Sequence, residues 1–204
     1  MGRFTEHIGS QFGNPRGLVG KCCCIIMNVI NNAMYRKTVS LVKLNDKSKV
    51  LDIGYGNGHL IKKMYKKYRP FVCGIDISED MRAAAEKRNA AALKDGKLRL
   101  SIGDCCKLEY DDGTFDAVTS VNTIYFWNDT LQGMKEIFRV LKPGGAFYNT
   151  VYAKEWLQKL SYTRKGFRMF ELEDYMSLCV QAGFSEAEII DISKGKSFVV
   201  MCTK

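Results

Sequence analysis

The chain has 204 residues, enough for one domain with a sizeable core. Hydrophobic residues at 46% and charged residues at 26% are values of an ordinary globular protein, and no apolar run is long enough to span a membrane. The net charge of +9 permits nucleic acid, anionic lipid or an acidic substrate as partner without choosing among them. The stretch Met1 to Gln11 is polar, which argues against a secretory leader. The eight cysteines do not form a disulfide framework, since Cys22, Cys23 and Cys24 adjoin, as do Cys105 and Cys106. No C-x-x-C spacing suits zinc. The expectation is reduced thiols, no bound metal and a cytoplasmic location.

In chain order, residues 1 to 15 are expected to be irregular, with Gly9, Gly13 and Pro15 as breakers. Residues 17 to 43 read as one broken helix or two. Leu18, Val19, Cys22, Ile25, Ile26, Val29 and Ile30 share a face, and Asn28, Asn31 and Asn32 mark the break. Six basic residues against one acid up to Lys43 would suit a membrane surface. A helical cap packed on its own domain, residues 1–43, is the preferred reading.

Val50 to Gly58 reads as a buried strand, a glycine-rich turn and the start of a helix. Ile61, Met64, Tyr65 and Tyr68 then recur on one helical face, with Lys62, Lys63, Lys66 and Lys67 opposite. Phe71 to Asp76 is a second buried strand. Ser78 is a candidate N-cap, with Glu79 and Asp80 in the first turn of a helix running toward Lys94. Lys97 to Ile102 and Phe115 to Val121 are the third and fourth strands. Asn128 or Asp129 caps a helix to about Leu141, with Leu131, Met134, Phe138 and Leu141 facing in. Ala146 to Val151 is the fifth strand. Glu171 to Ala182 is a helix ended by Gly183, and Glu186 to Ile192 and Ser197 to Cys202 close the chain as a hairpin. This alternation implies one doubly wound, mostly parallel seven-stranded sheet with an antiparallel edge strand, helices on both faces and an N-terminal helical cap.

Glycines 54, 56 and 58 follow Asp52, and His59 stands where a dinucleotide fingerprint needs its third glycine. This D-x-G-x-G-x-G pattern resembles motif I of the class I S-adenosylmethionine (SAM)-dependent methyltransferases, of the type 11, UbiE-like small-molecule subset. Asp76, Asp104 and Asn122, at the ends of strands two to four, continue the series. The run Phe138 to Gly145 resembles the family's R-x-L-K-P-G-G segment. The resemblance is specific over residues 45–151, which it marks as the SAM-binding core.

The resemblance implies SAM as cofactor, held by Asp52, Gly54, Tyr55, Gly56, Gly58, Asp76, Ile77, Met81, Asp104, Cys105 and Asn122. Asp76 would take the ribose hydroxyls, Ile77 would pack on the adenine, and Asp104 with the Cys105 amide would meet its amino group. Tyr55 is bulky for the family's glycine turn. Residues 152–170 interleave aromatics with basic residues and are expected to form a lid on the acceptor side. The acceptor expected is a small molecule of aromatic or anionic character. RNA or another nucleic acid is the alternative, because stacking and phosphate pairing use the same residue types. A SAM-binding protein without transfer activity is another, and arsenite methylation on converging thiols a remote one. His59 is the better placed of the two histidines, but no catalytic base is assigned, since a sulfonium already activates its methyl group.

Overall fold

The structure, a computed structural model, describes residues 26–204. The readings placed on residues 1–25, His7 and the expected irregular leader among them, lie outside the described residues. Residues 26–30 are helical, Asn31 is a turn, and α1 (Asn32–Leu41) follows. The break therefore falls within the asparagine cluster.

The remaining elements are β1 (Lys49–Ile53), α2 (His59–Tyr68), β2 (Phe71–Asp76), α3 (Glu79–Arg88), α4 (Ala90–Lys94), β3 (Leu98–Ile102), β4 (Phe115–Val121), α5 (Thr130–Val140), β5 (Leu141–Tyr152), α6 (Lys154–Gln158), α7 (Leu172–Ala182), β6 (Glu186–Ser193) and β7 (Ser197–Thr203). The sheet order is β3-β2-β1-β4-β5-β7-β6. Strands β1 to β5 pair in parallel. The antiparallel edge is the closing hairpin, with β7 inserted between β5 and β6.

Alternation along the strands sends side chains to two cores. Leu51, Ile53, Cys73, Ile75, Val118 and Phe147 pack with Met134 and Ile137 of α5 and Tyr175 of α7. Val50, Val72, Ala117 and Tyr148 pack on the other face with Val39 of α1 and Ile61 and Met64 of α2. Each Val, Leu, Ile, Met or Phe side chain among them contributes about 1.5–3 kcal/mol through its burial.

Several boundaries differ from the sequence reading for local reasons. The helix expected to reach Lys94 is interrupted at Asn89, whose amide side chain donates to the Gly58 carbonyl at 3.0 Å and the Ala85 carbonyl at 2.9 Å. β5 starts at Leu141 and not at Ala146, because Phe115 pairs with Leu141 across an irregularity before the main register. Asp129, and not Asn128, caps α5, its carboxylate accepting from the Gln132 amide. The buried stripe of α5 is Met134, Ile137 and Val140, with Leu131 and Phe138 half-buried beside it. Glu171 caps α7 through a reciprocal box with Asp174. Cys179 of α7 and Cys202 of β7 are bonded, contrary to the expectation of reduced thiols throughout; α7 lies on the sheet and brings their Cα atoms to 6.5 Å.

The R-x-L-K-P-G-G-like run serves the fold. Arg139 donates to the carbonyls of Leu108 and Tyr110 and pairs with Glu136, pinning the loop before β4. Lys142 pairs with Asp116 at 2.6 Å.

Candidate active site

The chain reverses direction across the sheet between β1 and β4, and in open α/β sheets that switch point opens a crevice beyond the carboxyl ends of the strands. A cavity of about 250 Å³ lies there. Its walls come from the loops after β1, β2, β3 and β4, from residues 152–170, and from Met27, Asn28, Asn31 and Tyr35. Asparagines that read as helix breakers in the sequence thus face the cavity.

The turn after β1 is built from left-handed backbone. Gly54, Gly56 and Gly58 have φ of +66°, +51° and +72°. Gly54 also lies against Thr123, where a Cβ would meet the threonine methyl carbon at 2.3 Å. A Cβ at Gly56 would meet nothing within 4 Å, so this backbone borders open cavity. Gly58 does not line the cavity; its carbonyl and Cα pack on Asn89 and Ala85. Its role is to join the turn to α2 and α3. Tyr55 fits because its ring leaves the turn and packs over Gly74. A Cβ at Gly74 would lie 2.7 Å from that ring.

Ten of the eleven residues expected at the cofactor site line the cavity, all but Gly58. Asp52 is 2% exposed, and the Thr119 hydroxyl donates to its Oδ1 at 2.8 Å. Burial pushes its carboxyl up to about 7, the Thr119 bond opposes the shift and the Asp76 charge adds to it. Asp76 Oδ2 accepts from the Gly56 amide at 2.8 Å and Oδ1 from the Ser78 amide at 3.0 Å. Burial raises its pKa against these bonds. Ile77, beside it, is 53% exposed at the rim, while Met81 is buried below.

Asp104 Oδ1 accepts from the Cys106 amide at 2.9 Å and Oδ2 from the Asn128 side-chain amide at 2.8 Å. Burial acts to raise its pKa, but these bonds outweigh it and hold the carboxyl below its ordinary value. Its side chain and the Cys105 and Cys106 sulfurs lie within 4.8 Å of one another. Burial pushes both thiols up. Asn122 adopts φ +59° at the end of β4, and its Oδ1 accepts from the Tyr125 hydroxyl at 3.3 Å.

The sequence reading missed three supports: Thr119 under Asp52, Thr123 against Gly54 and Asn128 on Asp104. Thr119 sits in a strand pattern that reads simply as buried. Asn128 had a signal, a polar side chain before a helix, but that signal also fits a cap. His59 lies outside the cavity lining. Its ring packs on Tyr35 with centroids 5.0 Å apart and its Nδ1 lies 3.4 Å from Arg88. Burial, with Lys63, Arg88 and Lys62, lowers its pKa to about 4.

Part of the cavity lining is aromatic, with Tyr125, Phe126, Trp127, Tyr152, Tyr162 and Phe167. Phe126 and Phe167 meet edge to face at 4.7 Å. The Tyr125 hydroxyl accepts from the Tyr152 amide at 2.7 Å, and the Tyr152 hydroxyl donates to Asn31 Oδ1 at 2.7 Å.

Residues 51–149 match a family profile described as a methyltransferase domain. The chain is 31% identical over 131 residues to the uncharacterized methyltransferase YdaC of Bacillus subtilis, covering 64% of this chain and 70% of that one. It is 33% identical over 112 residues to the ubiquinone/menaquinone biosynthesis C-methyltransferase UbiE of Geobacter sulfurreducens, covering 54% of this chain and 44% of the relative. The fold matches a chain from the complex of the Haloferax volcanii Trm112 methyltransferase activator with a methyltransferase. There the TM-score is 0.73 at 21% identity, over 87% of this chain and 91% of that one. The last likeness shows the fold alone. The chain is a class I SAM-dependent methyltransferase of the type 11, UbiE-like group, with S-adenosylmethionine as its cofactor.

Proposed function

We propose that this protein methylates a small-molecule acceptor held at the aromatic end of the cavity. The observation that carries this reading is one continuous cavity with an acid- and glycine-lined end and an aromatic end. The residues fit the cofactor. Open space at Gly56 leaves room for the amino-acid portion beside the buried Asp52 carboxylate. Asp76 presents acceptor oxygens to a ribose diol, Ile77 and Met81 offer apolar faces to the adenine, and Asp104 is an acceptor for its amino group. When bound, SAM supplies a methyl group already activated on a sulfonium. The chain orients the two reactants and excludes water.

In this reading the first described residues, through Met27, Asn28, Asn31 and Tyr35, cap the cofactor pocket. Residues 152–170 form the lid over the acceptor, and 171–204 complete the sheet. The nucleic-acid alternative has less support. No basic side chain of 152–170 lines the cavity. Lys154 pairs with Glu171, and Arg168 donates to the Thr130 hydroxyl at 2.8 Å. A methyl-release assay against metabolites and RNA tests this: turnover of a small molecule with weak salt dependence is expected. Turnover of RNA alone, lost steeply with added salt, would replace the reading.

The raised pKa of Asp52 leads to a pH prediction. Its folded value is about 7 against an ordinary 3.8. Its contribution to stability is therefore fully present below about 3.8 and lost as pH rises through 7. The full effect is on the order of 4 kcal/mol. Asp52→Asn should raise the melting temperature of the ligand-free protein above pH 7 and weaken SAM. A lower melting temperature at pH 8 would mean that the buried carboxylate is stabilised by something beyond Thr119.

A further inference from the structure

We propose that the acceptor is an amine carried on an apolar body, methylated at nitrogen. Phosphates and carboxylates do not suit the site. This rests on the small-molecule methyltransferase reading above.

The described residues that line the cavity include three carboxylates, Asp52, Asp76 and Asp104, and no lysine, arginine or histidine. An anionic acceptor would therefore lose its hydration without gaining a cationic side chain from the described lining. Three nearby cations have other partners: Lys154 pairs with Glu171, Arg168 donates to Thr130 although it also borders the adjoining opening by Phe126 and Phe167, and Lys159 lies over the Trp156 ring at 5.9 Å.

A phenol or alcohol acceptor has to lose its proton to a base. Two tyrosine hydroxyls of the aromatic lining are committed, Tyr125 to Asn122 and the Tyr152 amide, and Tyr152 to Asn31. Burial pushes Tyr125, Tyr152 and Tyr162 up, Tyr152 to about 12, so none of the three is a base at neutral pH.

An amine needs neither a cationic partner nor a base. Its nitrogen lone pair forms the new N–C bond as the methyl–sulfur bond breaks. The positive charge passes from sulfur to nitrogen, the cofactor leaves as a neutral thioether, and the methylated ammonium later gives its proton to water. The charge would appear on nitrogen beside the packed rings of Phe126, Phe167 and Tyr125, which line the cavity, and aromatic rings attract a cation. An amine that arrives protonated is held by the same rings and becomes nucleophilic on losing a proton to water.

The test begins with calorimetric titration of S-adenosylhomocysteine, the demethylated cofactor, into the full chain. Failure at that step sinks the methyltransferase reading itself. With that ligand bound, phenyl, indolyl and decyl bodies are then titrated, each carrying a primary amine, a carboxylate or a phosphate ester. The expected result is an amine that binds at least about tenfold tighter than its anionic counterparts. Its methylation with SAM should rise with pH through the amine's own pKa. Phe167→Leu should weaken that amine by about tenfold and leave S-adenosylhomocysteine unchanged. Equal or tighter binding of an anionic member, no binding by any amine, or an unchanged amine affinity in Phe167→Leu overturns the proposal.

Discussion

Asp76→Asn is expected to weaken SAM binding by roughly ten- to a hundredfold while the protein stays folded. Asp76 closes β2, and its two oxygens accept from Gly56 and Ser78. It therefore fixes the glycine turn while offering its remaining lone pairs to the cavity. Asparagine keeps the shape but removes the charge and turns one acceptor oxygen into a donor, which then opposes a backbone N–H. Hydrogen bonds to a charged group contribute about 1.5–3 kcal/mol, and about 1.4 kcal/mol is tenfold in affinity. Losing the buried charge, whose burial raises this carboxyl's pKa, offsets the cost to the fold of the lost backbone bond. Calorimetry and thermal melting of the variant separate the two effects. Unchanged affinity in a folded variant would remove Asp76 from the ribose site.

Gly54→Ala should damage the fold, and Gly56→Ala should damage binding. Both positions have positive φ, which costs an L-residue about 1–2 kcal/mol. At Gly54 the new methyl also lies 2.3 Å from the Thr123 methyl carbon. Thr123 is held by Ser120 at 2.6 Å and by the Trp127 indole at 3.1 Å, so it does not swing away freely. Overpacking adds about 1–3 kcal/mol, for a total of roughly 2–5 kcal/mol. At Gly56 the methyl enters open space, so only the backbone strain acts on the fold. Chemical denaturation should separate the pair by at least about 1 kcal/mol. Adding Thr123→Ala should recover part of the Gly54→Ala loss. Equal midpoints for the two single variants would mean that Thr123 yields and that φ alone matters.

Much of the architecture was legible because it rests on short-range patterns. β4 is bounded as its apolar run predicts, and α7 ends at Gly183 in the left-handed conformation. The misplaced boundaries come from contacts distant in sequence. Asn89 breaks a helix because Gly58 lies under it, and the start of β5 is set by pairing with Phe115. The candidate site divides the same way. Residues that sit at strand ends, such as Asp52, Asp76 and Asp104, are visible because topology places them at the crevice. Thr119, Thr123 and Asn128 act across the sheet or between loops, and no spacing in the sequence encodes those meetings. Tyr55 looked out of place in a glycine turn until Gly74, on the next strand, supplied the room for its ring.

The central claim is that this cavity holds the SAM scaffold through a glycine turn and a series of strand-end acids. The most direct measurement is a calorimetric titration of the full chain with S-adenosylhomocysteine and, separately, with NAD. His59 stands in place of the third dinucleotide glycine, and no basic side chain among the described lining residues meets a pyrophosphate. The account predicts one S-adenosylhomocysteine bound per chain and no heat from NAD. Saturable NAD binding with no binding of S-adenosylhomocysteine would contradict it.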